Sequence, residues 1–120
     1  MAVELPLRRL MLLHRDPALA RRVRALLDSA PEARYRIAHF THLSDALTCL
    51  QIDDVDLVLV GPEPADSDQV GAVQGLGAAR PETPQLALMV SPDAGQVAAA
   101  RAAGARAIVL AEVALPLERS

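Results

Sequence analysis

Apolar residues follow two different patterns along the chain, and the two patterns alternate. Short continuous apolar runs predict strands at residues 10–13, 35–40, 55–60, 86–90 and 107–110. Between these runs, apolar residues return every three or four positions, which predicts helices. This alternation favours a doubly wound α/β domain with a parallel sheet, whose functional edge lies at the carboxyl ends of the strands.

The predicted helices have recognisable starts. Asp16-Pro17 predicts the first, because aspartate caps free backbone amides and proline suits the first helical position. Ser91-Pro92-Asp93 predicts the fourth in the same way, and Gly104 predicts its end. The apolar stripes consist of Leu19, Val23, Leu26 and Leu27, then Leu43, Ala46, Leu47 and Leu50, then Val70, Val73 and Leu76, and finally Val97. Three glycines weaken the third helix by about 1 kcal/mol each, so we expect it to be the least stable.

The composition bounds the domain organisation. A chain of 120 residues that is 52% hydrophobic, with a net charge of −3, is sufficient for one domain. Cys49 is the single cysteine, so we expect no internal disulfide, a reducing compartment and a small buried side chain. No apolar run approaches the ~18 residues of a membrane span, which predicts a cytoplasmic protein without a membrane partner.

Several function classes lack the residues that they need. None of the twelve basic residues is lysine, and Tyr35 and Phe40 are the sole aromatic residues, which argues against nucleic-acid binding. The turn after the first strand, residues 14–17, has no glycine to cradle a nucleotide, and no Gly-x-Ser-x-Gly elbow occurs. We therefore predict neither an enzyme nor a bound cofactor.

Three segments, in this order and spacing, resemble the receiver domains of bacterial response regulators. They are the first strand with its Asp-Pro helix start (residues 12–17), the core strand (residues 55–60) and the segment before the last strand (residues 102–108). The resemblance runs from Arg9 to about Leu117. It implies a flavodoxin-like sheet of five parallel strands in the order 2-1-3-4-5.

The positions that carry the family's phosphorylation chemistry are all replaced. The resemblance aligns its pair of metal-binding acids with His14 and Arg15, and its phosphate-accepting aspartate with Gly61. The phosphate-binding hydroxyl falls on Met89, with Ser91 as a substitute if the strand shifts. The remaining two positions, a lysine and a switch aromatic, correspond to Ala111 and Ile108. Asp16, the third acid of its run, is explained by capping alone. Magnesium binding and aspartyl phosphorylation are therefore not expected.

The altered strand ends leave other arrangements open. The three histidines, His14, His39 and His42, could share a transition-metal site with acids of the loop after the third strand. Alternatively, Arg15 could form an ion pair with Glu63 or Asp66, and this ion pair would take the structural place of the metal ion that receiver domains bind. Phosphorylation at a displaced acid such as Asp66 is a third.

We interpret residues 1–120 as a degenerate receiver, or pseudo-receiver, of a two-component or phosphorelay signalling protein. It would be the N-terminal domain of a longer protein, and it would act on a protein partner or on an output domain that follows Ser120. The segment from Leu26 to Leu50 resembles receivers joined to cyclic-di-GMP synthesis or degradation domains. The alternative is a small-molecule or metal sensor that uses the altered strand ends.

The end of the chain raises the question of a partner surface. Receiver domains carry a fifth helix, but only nine residues follow Ala111, and Pro116 interrupts them, so we expect that helix to be truncated or absent. Either the chain continues, or a homodimer covers the apolar face. The predicted interaction residues are Val97, Ala100, Arg101, Ile108, Val113, Leu115 and Leu117.

Overall fold

The computed structural model describes residues 7–29, 34–62, 64–90 and 92–110. Five strands and four helices alternate in these ranges. The strands are β1 (Leu7–Leu13), β2 (Arg34–Phe40), β3 (Leu57–Val60), β4 (Gln85–Met89) and β5 (Ala107–Leu110). The helices are α1 (Pro17–Asp28), α2 (Leu43–Ile52), α3 (Gln69–Ala79) and α4 (Ala94–Ala103). None of the described helices has the length and hydrophobicity needed to cross a bilayer.

All described strand pairs are parallel, and the sheet order is β2-β1-β3-β4-β5. This confirms the predicted fold class and places β2 at one edge. A truncated last helix is a prediction that lies outside the described residues, as do Ala111, Val113, Leu115 and Leu117.

Two apolar clusters sandwich the sheet. Residues of α2, α3 and α4 pack with alternate strand residues such as Met11 and Val60 on one face. On the other face, α1 packs with the strand residues in between, such as Leu12 and Leu59. This alternation buries both faces of the central strands, which explains their continuous apolar sequences.

Helix starts follow the predicted capping with one shift. Asp16 caps α1 through its Oδ1, which accepts a hydrogen bond from the amide of Ala18 at 2.9 Å. In α4 the cap is Asp93 rather than Ser91, because Asp93 and Gln96 form a reciprocal capping box. The helix ends at Gly104, whose φ of 129° suits glycine.

Three other predictions need correction. β1 begins at Leu7, three residues earlier than predicted, as it pairs with β2 along seven residues. β3 begins at Leu57 rather than at residue 55, because the side chain of Asp56 takes the amide of Arg9 at 2.7 Å in place of a strand carbonyl. Leu26, assigned to the buried stripe of α1, is 58% exposed since it lies at the edge of the helix's buried arc.

Candidate functional site

The carboxyl ends of β1 and β3 bring His14 and Gly61 together. The amide of Gly61 donates to the carbonyl oxygen of Leu13 at 2.7 Å, which extends the β1–β3 pairing by one residue beyond the strands. Gly61 is buried. A β-carbon built on it would lie 2.6 Å from Cγ and Nδ1 of His14, closer than such carbons come to any atom. The imidazole therefore fills the space that a side chain at position 61 would need.

The backbone of His14 is fixed against the neighbouring strand. Its amide donates to the carbonyl oxygen of Phe40 at 3.0 Å, and its own carbonyl accepts from Nε2 of His39 at 2.7 Å. The acceptor is a carbonyl, so Nε2 of His39 carries the proton. The predicted proximity of His14 and His39 is thus confirmed, but the contact is from ring to backbone.

The loop between β3 and α3 is tied to α2 by one of its acids. The carboxylate of Asp66 accepts from the amides of Leu43 and Ser44, at 2.5 and 3.2 Å. Asp66 thereby caps α2 from a distance, whereas His42, at the N-cap position itself, makes no side-chain cap bond. The hydrogen bond from Leu43 is the largest of the effects that lower the pKa of Asp66. Both oxygens of this displaced acid are engaged by amides.

A glutamine side chain connects the carboxyl ends of β3 and β4. The Nε2 of Gln69, the first residue of α3, donates to the carbonyl oxygens of Val60 and Leu88, at 2.9 and 2.8 Å. The side-chain amide of Gln69 therefore bridges the carboxyl ends of β3 and β4. The sequence analysis missed this residue. Its only sequence signal is an amide side chain directly after a capping aspartate, here Asp68, which accepts from the amide of Gly71 at 2.6 Å.

The other predicted positions are dispersed. Met89 ends β4 and is buried in the core, so it offers no polar group at the carboxyl ends of the strands. Ile108 lies within β5 and packs against the same cluster. Arg15 is exposed, one residue before the α1 cap. Ser91 and Glu63 lie outside the described residues, so an ion pair from Arg15 to Glu63 stays a prediction.

The predicted interaction surface on α4 and β5 needs one correction. Ala100 is fully buried, because it faces the sheet and belongs to the core, and it cannot contact a second copy from there. Val97 is partly buried against that cluster, while Arg101 is exposed and donates to the carbonyl oxygen of Arg106 at 3.4 Å. Val109 on β5 is 36% exposed.

These residues do not fit a divalent cation. Mg²⁺ requires oxygen ligands in octahedral geometry, whereas positions 14, 15 and 61 offer an imidazole, a guanidinium and no side chain. Among the described residues, no group of three or more histidine, cysteine, aspartate or glutamate side chains could hold a metal ion. The transition-metal hypothesis therefore has no cluster to support it in this part of the chain.

Cys49 is a partly buried thiol on α2, packed against the core rather than fully inside it. Its Sγ lies 3.8 Å from Oδ2 of Asp53. Desolvation, followed by the charge of Asp53, raises the pKa of Cys49 above its ordinary value. The thiolate is thus disfavoured, which makes Cys49 a poor nucleophile.

No family model matches the sequence, and no curated protein is similar to it at a significant level. Solved structures, in contrast, share the fold. The Francisella response regulator 1452 receiver domain gives a TM-score of 0.74 at 10% identity, over 93% of this chain and 94% of that one. A CheY-like receiver domain protein from Methanospirillum hungatei JF-1 gives 0.72 at 15% identity, over 94% and 91%.

The Salmonella typhimurium response regulator RcsB gives a TM-score of 0.77 at 14% identity. The match covers 92% of this chain but only 58% of that chain, whose structure concerns DNA interaction. The chain described here therefore has the receiver-domain fold. At such identities the comparison establishes the fold alone.

Proposed function

We propose that this chain is a receiver-like regulatory module that works by protein–protein interaction, without aspartyl phosphorylation. The observation that carries the proposal is the ring of His14 over Gly61. A phosphoryl acceptor would have to project from that position, and the space for its side chain is already occupied. The module would transmit its state through its surfaces rather than through a phosphorylated centre.

Electrostatics lead to the same proposal. Phosphoryl transfer depends on placing cations around an acceptor and its transferring group. The chain has no lysine to supply an ammonium group, and positions 14, 15 and 61 hold a histidine, an arginine and a glycine in place of carboxylates for magnesium. Asp66, the displaced acid, already accepts two amides of α2. Phosphorylating it would remove the cap of that helix.

The regulated activity would belong to a partner or to an output region. In RcsB the corresponding segment is 58% of the chain, which illustrates a receiver fold within a longer regulator. We propose the same arrangement here, with residues 1–120 as the N-terminal domain. Cyclic-di-GMP turnover is the output that the sequence resemblance suggests.

We also propose self-association through the edge formed by α4 and β5. Among the described strands, β5 pairs with β4 alone, which leaves its other edge open to a further strand within the described residues, and Val109 on β5 is 36% exposed. Sedimentation should show a dimer at micromolar concentration that Val109→Glu dissociates. Ile52→Glu, which changes a 74% exposed residue on α2, is the matched control. A strictly monomeric parent protein would contradict this part of the proposal.

The phosphorylation test uses a small phosphodonor with magnesium and intact-mass spectrometry. The chain and its Gly61→Asp variant should both remain unmodified, while the Francisella receiver domain is treated in parallel as a comparator. Magnesium should leave the thermal midpoint of this chain unchanged, since a ligand that does not bind the native state cannot stabilise it. A mass increase of one phosphate on the parent chain would overturn the proposal. Labelling of Gly61→Asp alone would show that one side chain suffices to restore the chemistry.

The second candidate function is a sensor of a small molecule at the altered strand ends. The observation that favours it is an open cleft of about 780 Å³ beside Met89, between the starts of α3 and α4. Its volume falls within the range of natural ligand sites, about 300–1,000 Å³.

A further inference from the structure

The outer edge of β2 is open to a further strand. Among the described strands β2 pairs with β1 alone, and none of its seven residues is fully buried. The carbonyl of Phe40 points towards β1, where it accepts from the amide of His14 at 3.0 Å. Backbone groups alternate between the two sides of a strand, so the amides and carbonyls of Tyr35, Ile37 and His39 face outward. The edge therefore presents main-chain groups at the spacing that an added strand uses.

Two arginines lie on one face of this edge. Arg34 and Arg36 are both exposed, and as residues i and i+2 of a strand they share a face, about 6.6 Å apart along the chain. Arg36 is the register partner of Arg9 on β1, which adds a third positive charge to that face. Like charges directly opposite one another destabilise a sheet. A partner with negative side chains at this face would offset that cost.

The nearby acids do not neutralise these arginines. Asp53 and Asp54 line a small cleft together with Arg36, but the carboxylate of Asp54 pairs with Arg80 at 3.5 Å. Within the part of the chain that the structure describes, no acid lies within ion-pair distance of Arg34 or Arg36. Both guanidinium groups are thus available to a partner.

The opposite face of the same edge is apolar. Tyr35 and Ile37 alternate with the arginines, and both are partly buried against the cluster that α1 covers. An added strand would place every second side chain beside them, and an apolar residue there would extend the cluster. The edge therefore favours a strand in which acidic and apolar residues alternate.

A second copy of the chain does not fit this edge. A symmetric antiparallel pairing of two β2 strands would bring Arg34 and Arg36 of both copies to one face of the joined sheet. Four guanidinium groups would then lie close together, and their repulsion disfavours the pairing. Charged side chains protect edge strands from self-pairing in this way. The same charges attract an acidic strand.

We propose that the outer edge of β2 binds an extended acidic segment of another protein, which adds one strand to the sheet. The backbone of this segment pairs with the outward groups of β2, and its acidic side chains lie beside Arg34 and Arg36. Such a surface rests on the proposed function, since it supplies the protein contact through which the module would act. The two can fail separately. Phosphate on the parent chain would overturn the function and not this surface, and an edge that binds no acidic strand would do the reverse.

The test measures fluorescence anisotropy of labelled octapeptides, blocked at both ends, with the full chain. One peptide alternates glutamate and valine, and the other alternates lysine and valine. The acidic peptide should bind and the basic one should not. In the double variant Arg34→Glu, Arg36→Glu the affinity for the acidic peptide should fall at least about tenfold, because two attractive cross-strand pairs become repulsive. The basic peptide should then bind. Circular dichroism checks that the variant remains folded.

The matched control is the double variant Arg101→Glu, Arg106→Glu. It changes the net charge by the same amount at two exposed positions, on α4 and just before β5 at the opposite edge of the sheet. Its affinity for the acidic peptide should stay within about twofold of the parent value, as expected for distant charges in salt. Equal losses in the two double variants would show a general charge effect and would overturn the proposal.

Strand pairing is tested on the peptide itself. Two further acidic peptides carry N-methyl groups, one on its glutamates and the other on its valines. In an added strand only alternate amides face β2, so one of these peptides should lose binding and the other should keep it. The same affinity for both methylated peptides, or no binding of the unmethylated acidic peptide, would overturn the proposal.

Discussion

Val60, the last residue of β3, and Gly61, which follows it, are constrained in different ways. Val60 is fully buried in a cluster that any apolar side chain of similar volume could help to fill. Gly61, the next residue, has no side chain because the ring of His14 occupies the space. The core position thus sets general requirements of volume and hydrophobicity, whereas the strand-end position is set by one specific contact. A fold can be encoded by such core positions, while its chemistry depends on a few side chains at the strand ends.

Three side-chain contacts join neighbouring elements at the carboxyl ends of the strands. His14 holds β1 against β2, Gln69 ties β3 to β4, and Asp66 joins the β3–α3 loop to α2. Each bond involves a backbone group near the end of a strand or at the start of a helix. Among the described residues, these hydrogen bonds connect the carboxyl ends of the strands to one another and to α2.

The largest expected change in stability comes from a substitution in the core. Leu50→Ala removes a side chain of α2 that is 1% exposed, and it should lower the free energy of unfolding by about 2–5 kcal/mol, from lost burial and a cavity. Leu26→Ala removes the same group from a position that is 58% exposed, and should cost about 0.5 kcal/mol or less. Urea denaturation of both variants measures the difference. Equal costs would show that the burial assigned to α1 and α2 is wrong.

The second prediction concerns the contact between His14 and Gly61. Gly61→Ala should destabilise the protein by about 1–3 kcal/mol, because the new methyl group overlaps the imidazole. In a His14→Ala background the same substitution should cost much less. The backbone bonds of residue 14 to Phe40 and His39 do not need the ring, so the background variant keeps them.

A double-mutant cycle by urea denaturation gives the coupling between the two positions. A coupling near zero would mean that the ring moves aside freely. The space at position 61 would then be available to a phosphoryl acceptor, which would weaken the proposed function directly.

The strand and helix assignments could be predicted because their causes are local. Continuous apolar runs, a helical period of three to four residues, an Asp-Pro start and a glycine stop all lie within a few positions of the elements that they define. Two boundary predictions failed because a side chain takes a backbone amide: Asp56 accepts from the amide of Arg9, 47 positions away, and the capping box moves the α4 start to Asp93.

The candidate site was predictable only as a set of replaced positions. That Gly61 lacks an acceptor is evident from the chain, but the position of the His14 ring over it depends on how β1 and β3 pair. Gln69 and Asp66 act on groups between 9 and 23 positions away, which neither propensity nor spacing reveals. Side-chain contacts across elements require the tertiary structure.

The third prediction compares two glycines on neighbouring helices. Gly75→Ala on α3 would bring its β-carbon to an ordinary 3.7 Å from Leu43, so it should stabilise the protein by about 0.5–1 kcal/mol through helix propensity. Gly104→Ala, at a φ of 129°, should instead destabilise it by about 1–2 kcal/mol. Thermal unfolding of the two variants gives the opposite signs directly. A destabilising Gly75→Ala would contradict the expectation that glycines weaken α3.

The last prediction concerns Asp66, the acid that now caps α2, and its effect is the smallest because the group is fully exposed. Its pKa is lowered, first by the amide of Leu43, so folding favours the carboxylate over the acid. The contribution to stability is therefore present above the ordinary aspartate value of 3.8, and it is lost as the pH falls through the lower folded value. The parent should be more stable than Asp66→Asn at pH 7, and urea denaturation should show this difference narrowing below pH 3.8. Asp28→Asn, which removes an exposed carboxylate at the end of α1, is the control for charge alone. A difference that stays constant from pH 7 to pH 3 would mean that the charge of Asp66 does not hold the loop to α2, and that an acid there remains available for other chemistry.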